Sequence, residues 1–283
     1  MQKAPTRRNA QRIPANTSSP TTAMNITSKS HQRIKAAQAF LVLLAAACLS
    51  IPVGAQPNVL AGESGIFCSR GGEEAVGVMC DLAKEMQRRL NYSPSISIVP
   101  LSRLKITMKQ KGTNTLYLPA LEGEEHAKNL QIVVEMVRDE YVVVTSTRAN
   151  AVKASMPEAR QLLRVGVLRG SHAQIEAERL GWTNIDVSGS QEACAKKLNM
   201  GRTDGWISTW NGARYSAKSA GIDIATLLRG AHFLDAKLAL MASSDISGME
   251  IERWRRAFRA MKADGTVARI YKKYDFQPVS GDK

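Results

Sequence analysis

A glycine-serine corner follows a short apolar run in the middle of the chain, where Arg169, Gly170, Ser171 and His172 come after residues 165–168. A helix that begins directly after a strand offers unpaired backbone N–H groups, and such groups bind anions. A nucleotide-binding P-loop needs Gly-x-x-x-x-Gly-Lys-Ser/Thr, but here the serine follows the glycine directly. The corner therefore predicts a site for a small polar solute. The alternative is that Ser171 is an ordinary helix cap.

Further candidate ligand-binding residues follow the ends of other predicted strands. In open α/β sheets, ligands bind beyond the carboxyl ends of the strands. Trp210 could stack on a ligand or pack beneath its loop, and Arg103 could face a ligand or form a surface salt bridge. The remaining strand-end candidates are Phe67, Cys68, Ser69, Arg70, Leu118, Pro119, Ala120, Ser208 and Thr209.

Catalytic and metal-binding patterns do not stand out in the sequence. There is no CxxC or HExxH spacing, and the four histidines are far apart along the chain. The glutamates that could act as a general acid or base lie in polar loops, where a solvated charge is the default. We therefore expect no metal, no cofactor and no enzymatic activity.

The cysteines predict one disulfide and one spare thiol if the protein is exported. Cys68 and Cys80 are the pair closest in sequence, and Cys194 would be left over. The alternative is that these side chains are plain core residues.

The N-terminus has the outline of a secretory signal peptide. Residues 1–38 hold seven basic and no acidic residues, and the apolar run 39–51 follows. That run of 13 residues is shorter than the ~18–20 needed to cross a bilayer. We predict a signal peptide over residues 1–55 with cleavage after Ala55, a second possible cut after Ala61, and translation starting at Met1 or Met24. Lipidation at Cys48 is the alternative to a discarded cysteine.

The charge balance changes once this leader is removed. The whole chain carries +14, and without the seven leader cations 32 basic residues face 25 acidic ones, a net charge of +7. The dense basic cluster at residues 253–262 interleaves with Trp254, Phe258 and Met261 at helical spacing. A solvated basic face is expected there, or a docking face for a membrane partner, and nucleic-acid binding is not expected.

The remainder of the chain alternates strand and helix patterns. This rhythm predicts an α/β protein whose sheet is covered by helices. Predicted strands cover residues 64–68, 96–99, 115–118 (ended by Pro119), 141–145, 164–168, 205–208 and 236–242. Predicted helices cover residues 76–90, 101–111, 191–200 and 211–220, with one from the Gly-Ser corner and two near the C-terminus, divided at 264–266.

Four motifs in this order resemble the family 3 extracellular solute-binding proteins of ABC importers, over residues 65–276. They are Gly77-Val78-Met79-Cys80-Asp81-Leu82, the strand and Gly-Ser turn of residues 164–171, Leu198-Asn199-Met200-Gly201-Arg202-Thr203-Asp204, and Met261-Lys262-Ala263-Asp264-Gly265-Thr266.

The resemblance implies a two-lobed type 2 periplasmic-binding-protein fold, each lobe a mixed sheet flanked by helices. Lobe 1 would combine residues 57–143 with 235–283, and lobe 2 would span 148–232. Hinge strands at 140–145 and 234–241 would let the lobes close on a ligand. The implied partners are a small polar solute and a membrane-embedded ABC permease, and the implied state is a periplasmic monomer.

Two positions depart from the pattern of the amino-acid-binding relatives. His126 aligns with the arginine that clamps the ligand α-carboxylate, and Thr209 aligns with the aspartate that pairs with the α-ammonium. A neutral hydroxyl cannot offset an ammonium group as a carboxylate does. With Arg103, Arg169 and the helix N-terminus nearby, we expect a small polar, anionic solute that is not a standard α-amino acid.

Two other functions remain compatible with the same resemblance. A few relatives resemble dehydratases that act on cyclic carboxylates, so an enzyme on this scaffold is one alternative. The other is a recognition or sensor module that does not serve import.

Overall fold

Eight strands of the chain form a single mixed sheet. The computed structural model describes residues 55–93, 95–121, 127–147 and 164–279. The strands are β1 (Asn58–Glu63), β2 (Ser69–Gly71), β3 (Glu74–Val76), β4 (Ser97–Pro100), β5 (Thr115–Leu121), β6 (Gln131–Ser146), β7 (Val165–Leu168), β8 (Ile185–Ser188), β9 (Gly205–Thr209) and β10 (Leu227–Ala242). The strand order in the large sheet is β4-β1-β5-β10-β6-β9-β7-β8, and β2 pairs with β3 in a separate hairpin.

Seven α-helices in the described ranges cover the two ends of this sheet. They are α1 (Val78–Arg89), α2 (Leu101–Thr107), α3 (His172–Arg179), α4 (Gln191–Asn199), α5 (Trp210–Ser219), α6 (Gly248–Ala263) and α7 (Thr266–Lys273). A short 3₁₀ helix, Ile224–Thr226, precedes β10. Within these ranges no helix is both long and apolar enough to span a bilayer.

The two longest strands are shared by both ends of the sheet. β6 and β10 are antiparallel partners along their whole lengths, from Gln131 opposite Ala242 to Ser146 opposite Leu227. The C-terminal part of β10 pairs with β5, whereas the C-terminal part of β6 pairs with β9. The sheet is therefore two smaller mixed sheets joined by a two-stranded ribbon. We call the end with β1, β4, β5, α1, α2, α6 and α7 lobe 1, and the end with β7, β8, β9, α3, α4 and α5 lobe 2.

Amphipathic helices build the core of lobe 1. Trp254, Phe258 and Met261 of α6 are all buried, as their spacing predicts. The basic residues between them are engaged within the chain: Arg253 contacts Glu250 and the ring of Tyr92. Arg255 donates to two backbone carbonyls of β6, and Arg259 pairs with Glu252. The basic cluster is thus largely a solvated, ion-paired face.

A disulfide joins Cys68 to Cys80, with 5.4 Å between the two Cα atoms. The sequence left this pairing open against a plain core role, and the structure has the bond. It ties the loop after β1 to the first turn of α1. Among the described cysteines, Cys194 is free and buried, and burial raises the pKa of its thiol to about 11.

Four predicted strands differ from those observed. Residues 64–68 form a turn, because the strand lies earlier, at Asn58–Glu63. Pro119 does not end β5, which continues to Leu121. β1 pairs with β5 only as far as Leu118, and the β5–β10 register shifts beside Pro119, so its missing N–H falls where the ladder is interrupted. The predicted strands 141–145 and 236–242 are only parts of β6 and β10.

Candidate functional site

A cleft opens between the two lobes beside the β6–β10 ribbon. It measures about 450 Å³ with its open mouth included. Lobe 1, the ribbon and lobe 2 all contribute side chains, so a bound molecule would touch both lobes. The lining residues are Ser64, Phe67, Leu101, Lys105, Pro119, Leu121, Tyr141, Leu168, Ser171, His172, Gln191, Thr209 and Leu238.

The lobe 2 wall of this cleft is made from the first residues of three helices. Ser171 caps α3 by accepting the backbone N–H of Gln174 at 3.1 Å, and His172 is the first helical residue. Thr209 caps α5 by accepting the backbone N–H of Gly212, also at 3.1 Å. Gln191 is the first residue of α4. The positive ends of three helix dipoles therefore lie at this wall, which favours a negatively charged group.

The lobes touch at the corner that carries the Gly-Ser motif. Gly170 has φ +70°, and a Cβ atom built on it would lie 2.8 Å from the Cα atom of Ser102 at the start of α2. Only glycine allows this approach of lobe 2 to the backbone of lobe 1. On another side, Gly65 of lobe 1 faces Gln191 and Ser216 of lobe 2, which a Cβ there would meet at 3.5 and 3.2 Å. The structure thus has the lobes closed on each other.

A buried carboxyl group lies behind the cleft in β6. Asp139 is 3% exposed, and its Oδ1 atom accepts the backbone N–H of Glu140. Burial raises the pKa of Asp139 to about 7, against the opposing effect of Asn211, Thr209 and the Arg229 cation. Its neighbour Glu140 forms an ion pair with Arg229 of β10. The ribbon therefore carries ionisable groups next to the capping residue of α5.

Comparison with solved structures identifies the fold. A mutant of the arginine-binding protein ArgBP from T. maritima superposes with a TM-score of 0.63 at 18% identity, covering 77% of this chain and 94% of that one. A periplasmic binding protein of an arginine transport system from Legionella pneumophila gives 0.60 at 16% identity, covering 77% and 99%. The ancestral amino-acid-binding protein AncCDT-1, described as a precursor of cyclohexadienyl dehydratase, gives 0.63 at 17%, covering 77% and 95%.

This chain has the periplasmic-binding-protein fold. The resemblance in sequence predicted this two-lobed fold, and the prediction is confirmed. No protein-family model matches the sequence, and no curated protein matches it either.

Five of the residues predicted at strand ends line the cleft of this periplasmic-binding-protein fold, and Pro119 of β5 is one of them. Phe67 comes from the loop that the disulfide holds, and Ser171, His172 and Thr209 come from the helix starts of lobe 2. Gly170 lies beside them at the contact with Ser102.

Other predicted site residues lie outside the cleft lining. Ser69 donates to the carbonyl of Gly65, and Arg70 donates to the carbonyl of Ile98. Leu118 and Ala120 belong to the core of lobe 1. Trp210 packs against the core of lobe 2, so it has the packing role that was the alternative to stacking on a ligand. The two arginines expected near an anion, Arg103 and Arg169, are exposed. The remaining candidate, His126, lies outside the described residues.

Sequence reasoning missed four polar residues of the cleft: Ser64, Lys105, Tyr141 and Gln191. Lys105 stands four residues after Leu101, which also lines the cleft, so both lie on one face of α2. That spacing was a usable signal, whereas the predicted residue Arg103 lies two residues from both and so points away from that face of α2. Gln191 opens a helix after a strand, β8, that the sequence did not predict.

Proposed function

We propose that this chain is a family 3 solute-binding protein of an ABC importer, which captures a small polar solute between its lobes and delivers it to a membrane-embedded permease. The observation that carries the proposal is the cleft itself: its lining comes from both lobes and from the ribbon between them. A ligand there is buried by closure of the lobes, and a permease can then recognise the closed form.

The solute in this proposal is anionic and is not a standard α-amino acid. Among the described lining residues none carries a carboxylate, and Thr209 presents a hydroxyl that also caps α5. Lys105 lines the lobe 1 side of the cleft, and the N-termini of three helices lie at the lobe 2 wall. These helix N-termini favour an anion over an α-ammonium group.

The remaining parts of the proposal concern processing and organisation. Residues 1–55 serve as a cleaved signal peptide, and the mature chain works as a periplasmic monomer. Residues 57–143 and 235–283 form lobe 1, and residues 148–232 form lobe 2. The disulfide between Cys68 and Cys80 supports an oxidising compartment.

A thermal-shift screen of the mature chain, residues 56–283, tests the proposal. Organic acids should raise the unfolding temperature in a concentration-dependent way, because a ligand that binds only the folded state stabilises it. Amino acids, polyamines and sugars serve as the comparison classes. Strong stabilisation by an ordinary α-amino acid would contradict the ligand class, and no stabilisation by any solute would contradict the binding function.

An enzyme is the second candidate, because AncCDT-1 is described as the precursor of a dehydratase. The two functions separate when a stabilising solute is incubated with the protein and then recovered. A binding protein returns the solute unchanged, whereas an enzyme converts it. Mass spectrometry of the recovered solute decides between them.

A further inference from the structure

The amide of Gln191 is held in one orientation by a buried tryptophan. The indole Nε1 of Trp206 donates to Oε1 of Gln191 at 3.1 Å, and Trp206 is fully buried. An indole N–H can only donate, so the atom that faces it must be the amide oxygen. On the other side, the Gln191 stem packs close to Gly65, where a Cβ would make an ordinary contact of 3.5 Å with the Gln191 Cγ. The Gln191 group left for the cleft is therefore the NH₂ donor.

The hydroxyl oxygens of Ser171 and Thr209, on the same wall, each already accept one hydrogen bond. Ser171 and Thr209 each accept a backbone N–H as helix caps, and both are at most 3% exposed. The Ser171 hydroxyl proton remains to be donated, whereas the Thr209 side chain also interacts with the buried carboxyl of Asp139. The lobe 2 wall thus presents the Ser171 hydroxyl and the Gln191 amide as donors beside the His172 ring, and none of the described lining residues is a carboxylate.

The other surfaces of the cleft are mainly apolar. Phe67, Leu101 and Leu121 of lobe 1 face Leu168 of lobe 2, and Leu238 of the ribbon lies beside them. Lys105 also lines the lobe 1 side. A molecule that matches these surfaces carries an acceptor-rich anion at one end and an apolar body at the other.

We propose that Gln191, oriented by Trp206, is a specificity-determining residue that selects carboxylic acids with an apolar body and no α-ammonium group. The carboxylate accepts from Gln191 and Ser171, and the aliphatic or aromatic body packs on the leucines and Phe67. This inference rests on the proposed function and names its substrate class: 2-oxo and 2-hydroxy acids fit, whereas the matching 2-amino acids place a cation against donors.

The test measures dissociation constants for matched ligands by calorimetry with the mature chain. One series is phenylpyruvate, phenyllactate, phenylalanine and phenethylamine, and the second is 4-methyl-2-oxopentanoate, 2-hydroxy-4-methylpentanoate and leucine. We expect the oxo or hydroxy acid of at least one series to bind about tenfold or more tighter than its amino acid, and phenethylamine not to bind.

The variant Gln191→Glu replaces the NH₂ donor by a carboxylate oxygen of the same size and keeps an acceptor for Trp206. It should weaken binding of the oxo or hydroxy acid about tenfold or more and reduce the preference over the amino acid. The matched control is Gln110→Glu, which makes the same charge change at an exposed turn and should leave both constants unchanged. Urea unfolding of both variants verifies that they fold.

The outcomes separate this inference from the proposed function. An unchanged preference in Gln191→Glu, or tighter binding of the amino acids by the wild type, overturns the inference and leaves solute binding intact. Binding of another solute class in place of these carboxylates also overturns the inference and leaves solute binding intact. If no solute of any class binds, the proposed function fails together with the inference.

Discussion

Asp139 is a carboxyl group placed where water cannot reach it, in the ribbon next to the capping residue of α5. Burial raises its pKa from 3.8 to about 7. The folded protein therefore holds a proton that the unfolded chain has released between about pH 4 and pH 7. The free energy of unfolding consequently falls as pH rises through this interval.

The variant Asp139→Asn should remove this dependence. The rise in pKa corresponds to at most about 4 kcal/mol. We expect the variant to gain up to that amount relative to wild type between pH 4 and pH 8, because an amide has no charge to desolvate. Urea unfolding at a series of pH values measures it. If the free energy of unfolding fell equally with pH in both proteins, ionisation of Asp139 would not destabilise the folded state.

Gly170 is the residue that lets the lobes meet beside the cleft. The variant Gly170→Ala places a Cβ against the Ser102 backbone, which cannot rotate away as a side chain can. We expect a more open average conformation, seen as a larger radius of gyration in small-angle scattering, and weaker ligand binding.

The matched control for this prediction is Gly221→Ala. Gly221 has nearly the same φ, +71°, but its Cβ would have no neighbour within 4 Å. Both variants should lose about 1–2 kcal/mol through the unfavourable φ. Opening of the lobes should occur only in Gly170→Ala, and equal scattering from the two variants would contradict the role of the contact.

At the scale of elements, the disulfide holds the loop that carries Phe67 into the cleft. Its two cysteines are 12 residues apart and fully buried. The double variant Cys68→Ser, Cys80→Ser should lose about 2–4 kcal/mol of stability in urea unfolding. Reductant should lower the stability of the wild type and leave the double variant unchanged. Cys194→Ala is the control, and it should keep the sensitivity to reductant.

Local patterns in the sequence predict elements well where periodicity is strong, as in α1 and α6. They fail at β6 and β10. Each of these strands runs from one lobe into the other, so its surroundings change along its length and no single alternation of buried and exposed residues persists over 16 residues. Pro119 was misjudged because the interruption of the ladder beside it depends on pairing between distant strands.

The candidate site shows the same division. The strand-end rule placed Phe67, Ser171, His172 and Thr209 near one another, and all four line the cleft; their contact with a ligand stays a prediction. The role of Gln191 depends on Trp206, 15 residues away, and only the folded chain brings them together.

For the whole molecule, the C-terminal segment after α7 makes a further link between the lobes. Asn211 of lobe 2 donates to the carbonyl of Gln277 and accepts its N–H, at 2.9 and 3.0 Å. Arg214 pairs with Asp275 nearby, and Phe276 anchors the segment against Phe67 in lobe 1. Opening of the lobes must therefore break or stretch contacts on this side too.

The variant Asn211→Ala should loosen this link by removing both hydrogen bonds. Amide hydrogen exchange at Gln277 should speed up by about tenfold or more, since each bond contributes roughly 1 kcal/mol. Arg179→Ala, which breaks an exposed ion pair with Glu176 within α3, is the control and should not alter this exchange. An unchanged rate in Asn211→Ala would mean that other contacts hold the segment.

The continuity of β6 and β10 sets the mechanics of the cleft. Two paired strands of 16 residues cannot bend like a loop, so relative rotation of the lobes is taken up as torsion of a ribbon. The ladder is interrupted by register shifts near Arg229, His232 and Leu234, and this section of the ribbon is the easiest to twist. Gly230 lies in the same section, against the Val143 carbonyl. Rotation of either lobe against the other must therefore twist the paired backbone of β6 and β10, which makes this ribbon the part of the chain that resists such a movement in both directions.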